Sequence, residues 1–301
     1  MNLHFLAWLL IAGLVPGAAL AQKSLFGIAR QVTGSMSIDP SLSPDGKHMV
    51  YIRVIGDFEQ LFMANVDGSE SRQITHDPYD HEDPAWSHDG AKIAFVSFAD
   101  GGQVISVMSP DGSAVETLTP KNVHAIHPAW MPDDGALLYC TTDDLDPPRK
   151  NAADIYRMDL AMRHVTRLTS EGINTYPKPS RDGTRIAFRK IVGELNSEVF
   201  VADADGSNAR NLTNNPAYDG WPAWSPDGSS IAFASNRQGN QRIYVMNADG
   251  KNIRPVVHKE GRATAPAWSP DGSAIYFPVC TSVDGVVGCE IFMSIIKPPV
   301  P

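Results

Sequence analysis

The sequence predicts an all-β fold, a six-bladed β-propeller with four-stranded blades. Three observations point there. A turn-bearing heptad, Pro-Ala-Trp-Ser-Pro-Asp-Gly or a close variant, occurs six times. Each copy is followed by short apolar runs, and in four copies a second Asp-Gly turn comes after them, at Asp67-Gly68, Asp111-Gly112, Asp205-Gly206 and Asp249-Gly250. The two ends of the chain carry complementary fragments of one further copy. A period of 40–50 residues with four short strands per period is the signature of propeller blades.

Taken in order, strand a holds the heptad: Pro84 to Gly90, Pro128 to Gly135 with one extra residue, Pro222 to Gly228 and Pro266 to Gly272, with weaker copies at Pro40 to Gly46 and Pro177 to Gly183. The closing glycines, Gly46, Gly90, Gly135, Gly183, Gly228 and Gly272, lie 44 to 48 residues apart. Proline presets φ for the turn, Asp caps it locally and Gly accepts the left-handed position. Strand b is an apolar run such as Ile93 to Val96, Ile231 to Phe233 or Ile275 to Phe277. Strand c follows as Ile155 to Met158, Val199 to Val201 or Ile243 to Met246. After the second Asp-Gly turn, strand d ends in Ile-Thr or Leu-Thr, as at Ile74-Thr75, Leu118-Thr119, Leu168-Thr169 and Leu212-Thr213. The last copy stops after its strand c, while Ala29 to Thr33 mirrors Ser71 to Thr75. The last blade is therefore expected to be closed by an N-terminal strand, which leaves no open edge.

Residues 1–21 read as a signal peptide. The apolar run Phe5 to Leu14 is too short to span a membrane, and Ala19-Leu20-Ala21 suits cleavage before Gln22, although no Lys or Arg precedes the run. Residues 22–301 then form one propeller domain, periplasmic or secreted, with no integral membrane segment and expected to be a monomer. A net charge of −9 gives no basic footprint for nucleic acid. Of the three cysteines, Cys280 and Cys289 flank one b–c hairpin, so a disulfide is geometrically reasonable in an oxidising compartment. Cys140 falls in a strand b and reads as a buried thiol, with no histidine placed beside it by the repeat register.

The repeats resemble the WD-like propeller repeat of the TolB family, which runs Pro-x-Trp-Ser-Pro-Asp-Gly, Ile-Ala-Phe, Ile-Tyr-Val-Met and Leu-Thr. The resemblance covers about residues 29 to 295 and implies the fold strongly but the function weakly, because such propellers serve as binding platforms, peptidase gates and a few lyases. TolB resembles this propeller preceded by a separate α/β domain, for which this sequence leaves no room.

Strand order places the residue before each strand-a proline at the mouth of a central channel: Asp39, Asp83, His127, Tyr176, Trp221 and Ala265. Nearby positions add Asp80, His81, Glu82, His124, Asp219 and Arg262. The ligand-binding set expected at the mouth is Asp39, His81, Asp83, His124, His127, Tyr176, Asp219, Trp221 and Arg262. Within it Asp39, Asp83 and His127 are candidate ligands for a divalent cation, Ca²⁺, Mn²⁺ or Zn²⁺, since carboxylates with imidazoles bind such ions. Repulsion among Asp39, Asp83 and Asp219 calls for a counter-ion, a role Arg262 could fill. Trp86, Trp130, Trp224 and Trp268 share one register and read as wedges between blades, whereas Trp221 stands outside it.

The sequence has no G-x-S-x-G elbow, no H-E-x-x-H and no P-loop, and it is too short to add a hydrolase domain. No catalytic residues are assigned. The expected function is that of an exported, non-enzymatic platform that recognises an envelope or secreted protein or peptide through its d–a/b–c loop face. In a Gram-negative cell, the resemblance implies an envelope lipoprotein as partner. The alternative is a metal-dependent carbohydrate-active lyase or hydrolase, similar to oligogalacturonide lyases, with its site at the channel mouth.

Overall fold

The computed structural model describes residues 29–33, 36–142, 153–256, 260–283 and 286–296. The expected signal peptide and the acidic loop at 143–148 lie outside the described residues. Among the described residues there is no α-helix; two 3₁₀ turns, Ala99–Gly101 and Lys121–Val123, interrupt an otherwise all-β chain. Among these residues no helix is long and apolar enough to cross a membrane.

In chain order the strands are β1 (Arg30–Gln31), β2 (Ser37–Leu42), β3 (His48–Ile55), β4 (Phe58–Asn65) and β5 (Arg72–Gln73). The second repeat supplies β6 (His81–Trp86), β7 (Ile93–Ser97), β8 (Val104–Met108) and β9 (Glu116–Thr117). The third and fourth supply β10 (Ala125–Trp130), β11 (Ala136–Thr142), β12 (Ala153–Asp159), β13 (Val165–Arg167), β14 (Ile173–Pro179), β15 (Arg185–Gly193), β16 (Asn196–Asp203) and β17 (Arg210–Asn211). The fifth has β18 (Asp219–Trp224), β19 (Ser230–Ser235), β20 (Arg242–Asn247) and β21 (Arg254–Pro255). The sixth has β22 (Arg262–Ala263), β23 (Ala267–Trp268), β24 (Ala274–Val283) and β25 (Val286–Ile295).

Hydrogen bonds group these strands into five sheets rather than six separate ones. Three sheets have four strands in the order a-b-c-d. The third and fourth repeats share one eight-stranded sheet, because Ala153 on β12 and Ile173 on β14 form a single parallel pair. The last sheet has five strands, since strand a of the sixth repeat is broken into β22 and β23, both paired to β24. The arrangement is that of a β-propeller.

The chain ends meet in that last sheet. β1 pairs antiparallel with β25, Arg30 opposite Met293 and Gln31 opposite Phe292. Two repeated contacts show that β1 takes the place of a strand d. The threonine that ends strand d accepts a backbone N–H from strand c: Thr75 from Leu61, Thr119 from Ile105, Thr169 from Ile155 and Thr213 from Val199. Thr33 accepts in the same way from Ile291, 258 residues away. The second contact runs between neighbouring repeats. Where the c–d turn carries a glycine, it lies so close to the preceding strand d that an added Cβ would sit 2.3 Å from the Ile74 carbonyl oxygen at Gly112, and 2.0 Å from that of Leu168 at Gly206. At Gly68 the oxygen approached is that of Val32, at 1.9 Å.

The core lies between repeats. Strand b carries a buried aromatic at the same register in every repeat, Tyr51, Phe95, Tyr139, Phe188, Phe233 and Phe277. Apolar clusters join adjacent repeats, as where Val50, Ile52 and Leu61 pack with Ile93, Phe95 and Met108. Met49, Tyr51 and Phe62 of the first repeat pack with Tyr276 and Ile291 of the last, so burial also closes the ring. The indoles of Trp130, Trp224 and Trp268 each donate Nε1–H to a strand-a carbonyl of a preceding strand, at Ala85 (2.9 Å), Lys178 (3.1 Å) and Ala223 (3.1 Å).

Candidate functional site: the channel

The residue before each strand-a proline has a left-handed backbone: Asp39 (φ 48°), Asp83 (51°), His127 (56°), Tyr176 (54°), Trp221 (51°) and Ala265 (42°). None is glycine, so each conformation costs on the order of 1 kcal/mol or more. In the first five repeats the a–b register slips here, between Ile38 and Ser41, Glu82 and Ala85, Ile126 and Ala129, Thr175 and Lys178, and Gly220 and Ala223. The proline supplies no N–H to the ladder, and the extra residue turns its side chain out of the pleat. All six of these residues line one cavity of about 300 Å³ along the channel.

The cavity has two unlike sides. Asp39 and Asp83 come from the first and second repeats, and beside them stand Glu59 on β4 and Glu82 on β6. Burial pushes the Asp39 carboxyl up to about 6, with the Lys178 charge pulling the other way. Glu59 is pushed up to about 7, by burial first and then by Asp39 and Asp80, and Glu82 is held well above the usual range by burial and by Glu59. The two glutamates hydrogen-bond to each other, so they share a proton near neutral pH. Lys178 lines the same cavity; burial lowers its pKa, and Asp83 and Asp39 oppose that shift.

The other side is aromatic. The Tyr176 ring lies 3.7 Å from the His127 ring and 5.4 Å from Trp221, which in turn lies 5.4 Å from Tyr218. The Arg189 guanidinium sits 5.2 Å from the Tyr176 centroid and 5.5 Å from that of Tyr218, and donates to the Tyr218 hydroxyl. Arg–aromatic stacking of this kind fixes the orientation of both partners. His127 joins the two sides, its backbone N–H donating to Asp83 Oδ2 at 3.2 Å.

Of the nine residues expected at the mouth, Asp39, Asp83, His127, Tyr176 and Trp221 line the cavity; the other four do not. His81 is buried against the Phe95 edge, with Nε2 2.9 Å from Asp77. His124 caps a 3₁₀ turn at φ 50°. Asp219 is fully buried and paired with Arg237 at 2.9 Å, and Arg262 bonds Gln241, so neither supplies the expected charge contact at the mouth. The counter-charge is Lys178 instead. Lys178 lines the same cavity, and its charge acts on both Asp39 and Asp83. Among the described residues no three His, Cys, Asp or Glu converge as a ligand group. The sixth-repeat cysteines form a disulfide, with Cα atoms 4.0 Å apart, across the Cys280–Cys289 pair of β24 and β25.

Two further residues of this region escaped the sequence reading. Lys178 occupies the place of Ala85, Ala129, Ala223 and Ala267 in the heptad, and that departure was the available signal. Cys140 does have a histidine beside it: His127 Nδ1 lies 3.0 Å from its sulfur. The bulge at His127 brings the ring there, and a regular strand register does not anticipate it.

Comparison with known proteins agrees with this architecture. The sequence profile of the TolB beta propeller domain matches residues 28–146, 84–191 and 190–282. The Tol-Pal system protein TolB of Myxococcus xanthus is 38% identical over 95 residues, 31% of this chain and 19% of that protein. The chain spans a third or less of the length of the curated relatives it matches. Among solved structures, TolB from Acinetobacter baumannii superposes with a TM-score of 0.64 at 22% identity, covering 86% of this chain and 63% of that one. An oligogalacturonate lyase from Vibrio parahaemolyticus superposes with a TM-score of 0.59 at 12% identity, covering 90% and 92%. At these identities the superpositions establish the fold alone. The repeats, the closure and the matched profile together place this chain in the TolB β-propeller family.

Proposed function

We propose that the protein is an exported binding platform, a six-bladed TolB-like propeller that holds a protein or peptide of the cell envelope at the d–a/b–c face of its channel. The observation that carries this reading is the repeated left-handed bulge. Strain is placed at corresponding positions of all six repeats, and in each it aims a side chain into the same cavity. The cavity offers carboxylates on one side and stacked rings on the other, a mixed surface suited to a polypeptide with polar and apolar groups. The same face carries long b–c hairpins with exposed apolar tips, Ile55 and Phe58 on β3–β4, Val192 and Leu195 on β15–β16, and Val286 on β24–β25. In this proposal residues 1–21 are the export signal, the compartment is the periplasm and the platform acts as a monomer.

A recognition role needs no general base or metal, and Lys178 acts electrostatically on Asp39 and Asp83 within the same cavity. The alternative, a metal-dependent carbohydrate-active enzyme, makes a different demand on the same residues. The test compares the wild-type chain with Asp83→Ala and Trp221→Ala for bound metal, for turnover of polyuronates and for retention of an envelope protein. The platform reading expects one retained protein, lost by at least tenfold in both variants, and no turnover. Stoichiometric metal with turnover, both abolished by Asp83→Ala, would replace it with the enzyme.

A further inference from the structure

The residue after each strand-a proline is Ser41, Ala85, Ala129, Lys178, Ala223 or Ala267, and all six line the channel cavity. Five are small, so only the fourth repeat projects a long side chain from this position. Lys178 is the one lysine or arginine among the lining residues. An ammonium is costly to take out of water unless it is paired. Among the described residues no hydrogen bond or ion pair holds this one, and Asp83 and Asp39 act on it only as charges beyond salt-bridge range. Burial lowers its pKa against their pull, so more of it is free amine at neutral pH than for a lysine in water. An unpaired amine at a cavity wall is a nucleophile for a carbonyl carbon.

The surroundings narrow the class of carbonyl compound. Asp39 and Asp83 line the same cavity, and carboxylates accept from hydroxyl groups and repel anions. The Tyr176 and Trp221 rings, 5.4 Å apart, add an apolar wall. A volume of about 300 Å³ suits a small ligand. We propose that Lys178 is an imine-forming site that condenses with a small, uncharged hydroxyaldehyde entering the channel. The amine nitrogen attacks the carbonyl carbon, and a C–N bond forms as the C=O double bond opens. The oxygen then leaves as water, carrying the two protons that the amine gives up. A C=N bond remains, nothing is oxidised or reduced, and hydrolysis reverses the step. This activity goes beyond the recognition of a polypeptide and does not depend on it.

The experiment exposes the folded full chain at neutral pH to glycolaldehyde with cyanoborohydride, which reduces an imine to a stable secondary amine. Peptide mass spectrometry then compares capture at Lys178 with capture at Lys251, whose side chain is 79% exposed. Lys178 is expected to be captured at least about tenfold faster than Lys251. The preference is expected to vanish in urea, where both lysines meet the same solvent. Glyoxylate, an aldehyde of similar size that carries a carboxylate, is expected to show little preference for Lys178. Capture at Lys178 no faster than at Lys251 in the folded chain would overturn the proposal, and so would a preference that persists in urea. An equal preference with glyoxylate would overturn the selection of an uncharged aldehyde.

Discussion

At the scale of single residues, the channel carboxylates make the clearest energetic statement. Glu59 and Asp39 have folded-state pKa values of about 7 and about 6, above their ordinary values of 4.5 and 3.8, because the fold buries them near one another. A raised carboxyl pKa means that the folded chain binds more protons than the unfolded one as pH climbs from about 4 to about 7, so these groups cost stability progressively over that window. Glu59→Gln is therefore expected to raise stability at pH 7 by on the order of 1 kcal/mol, with the gain vanishing near pH 4. Urea unfolding at the two pH values measures the difference; a pH-independent effect would mean that the carboxyl pair carries no shared proton. This feature was illegible in the sequence because Glu59 comes from a strand c and Glu82 from the next repeat's strand a. By contrast, the positions of Asp39, Asp83, His127, Tyr176 and Trp221 could be read from their place before a repeated proline. His81, His124, Asp219 and Arg262 could not be placed the same way. They lie only near the repeated position, and local partners such as Asp77, Arg237 and Gln241 engage three of them.

At the scale of elements, the turns and wedges hold neighbouring repeats in register. Gly68 has φ +86° and an added Cβ would lie 1.9 Å from the Val32 oxygen, whereas Gly56, at φ +64° on the β3–β4 hairpin, has nothing within 4 Å. Gly56→Ala is expected to cost about 1 kcal/mol for the left-handed backbone alone. Gly68→Ala should cost at least about 2 kcal/mol more, because backbone of the closing strand must move. Thermal unfolding of the two variants separates them, and equal melting temperatures would contradict the packing described for the closure. The indoles give a second contrast. Trp130 donates to Ala85, but Trp86 Nε1 finds no protein acceptor. Trp130→Phe should therefore be more destabilising than Trp86→Phe by about 1 kcal/mol. Four strands per repeat were legible because apolar runs and Asp-Gly turns alternate. The parallel link between β12 and β14 was not, since one backbone pair leaves no trace in side-chain pattern.

For the whole molecule, closure by the chain's own ends was readable from the orphan Ala29 to Thr33 fragment, because it repeats the pattern of a strand d. What the channel receives was not readable, since recognition depends on which side chains the bulges bring together across repeats far apart in sequence. The central claim is that these bulges build a polypeptide-binding mouth. The most direct measurement places a photo-cross-linking amino acid at Trp221, and in a parallel chain at Lys251 on the opposite c–d turn face, and irradiates each in the host envelope. The account predicts a discrete protein adduct from position 221 that disappears when Asp83→Ala is added, and none from position 251. No adduct at 221, or equal adducts from both faces, would contradict it.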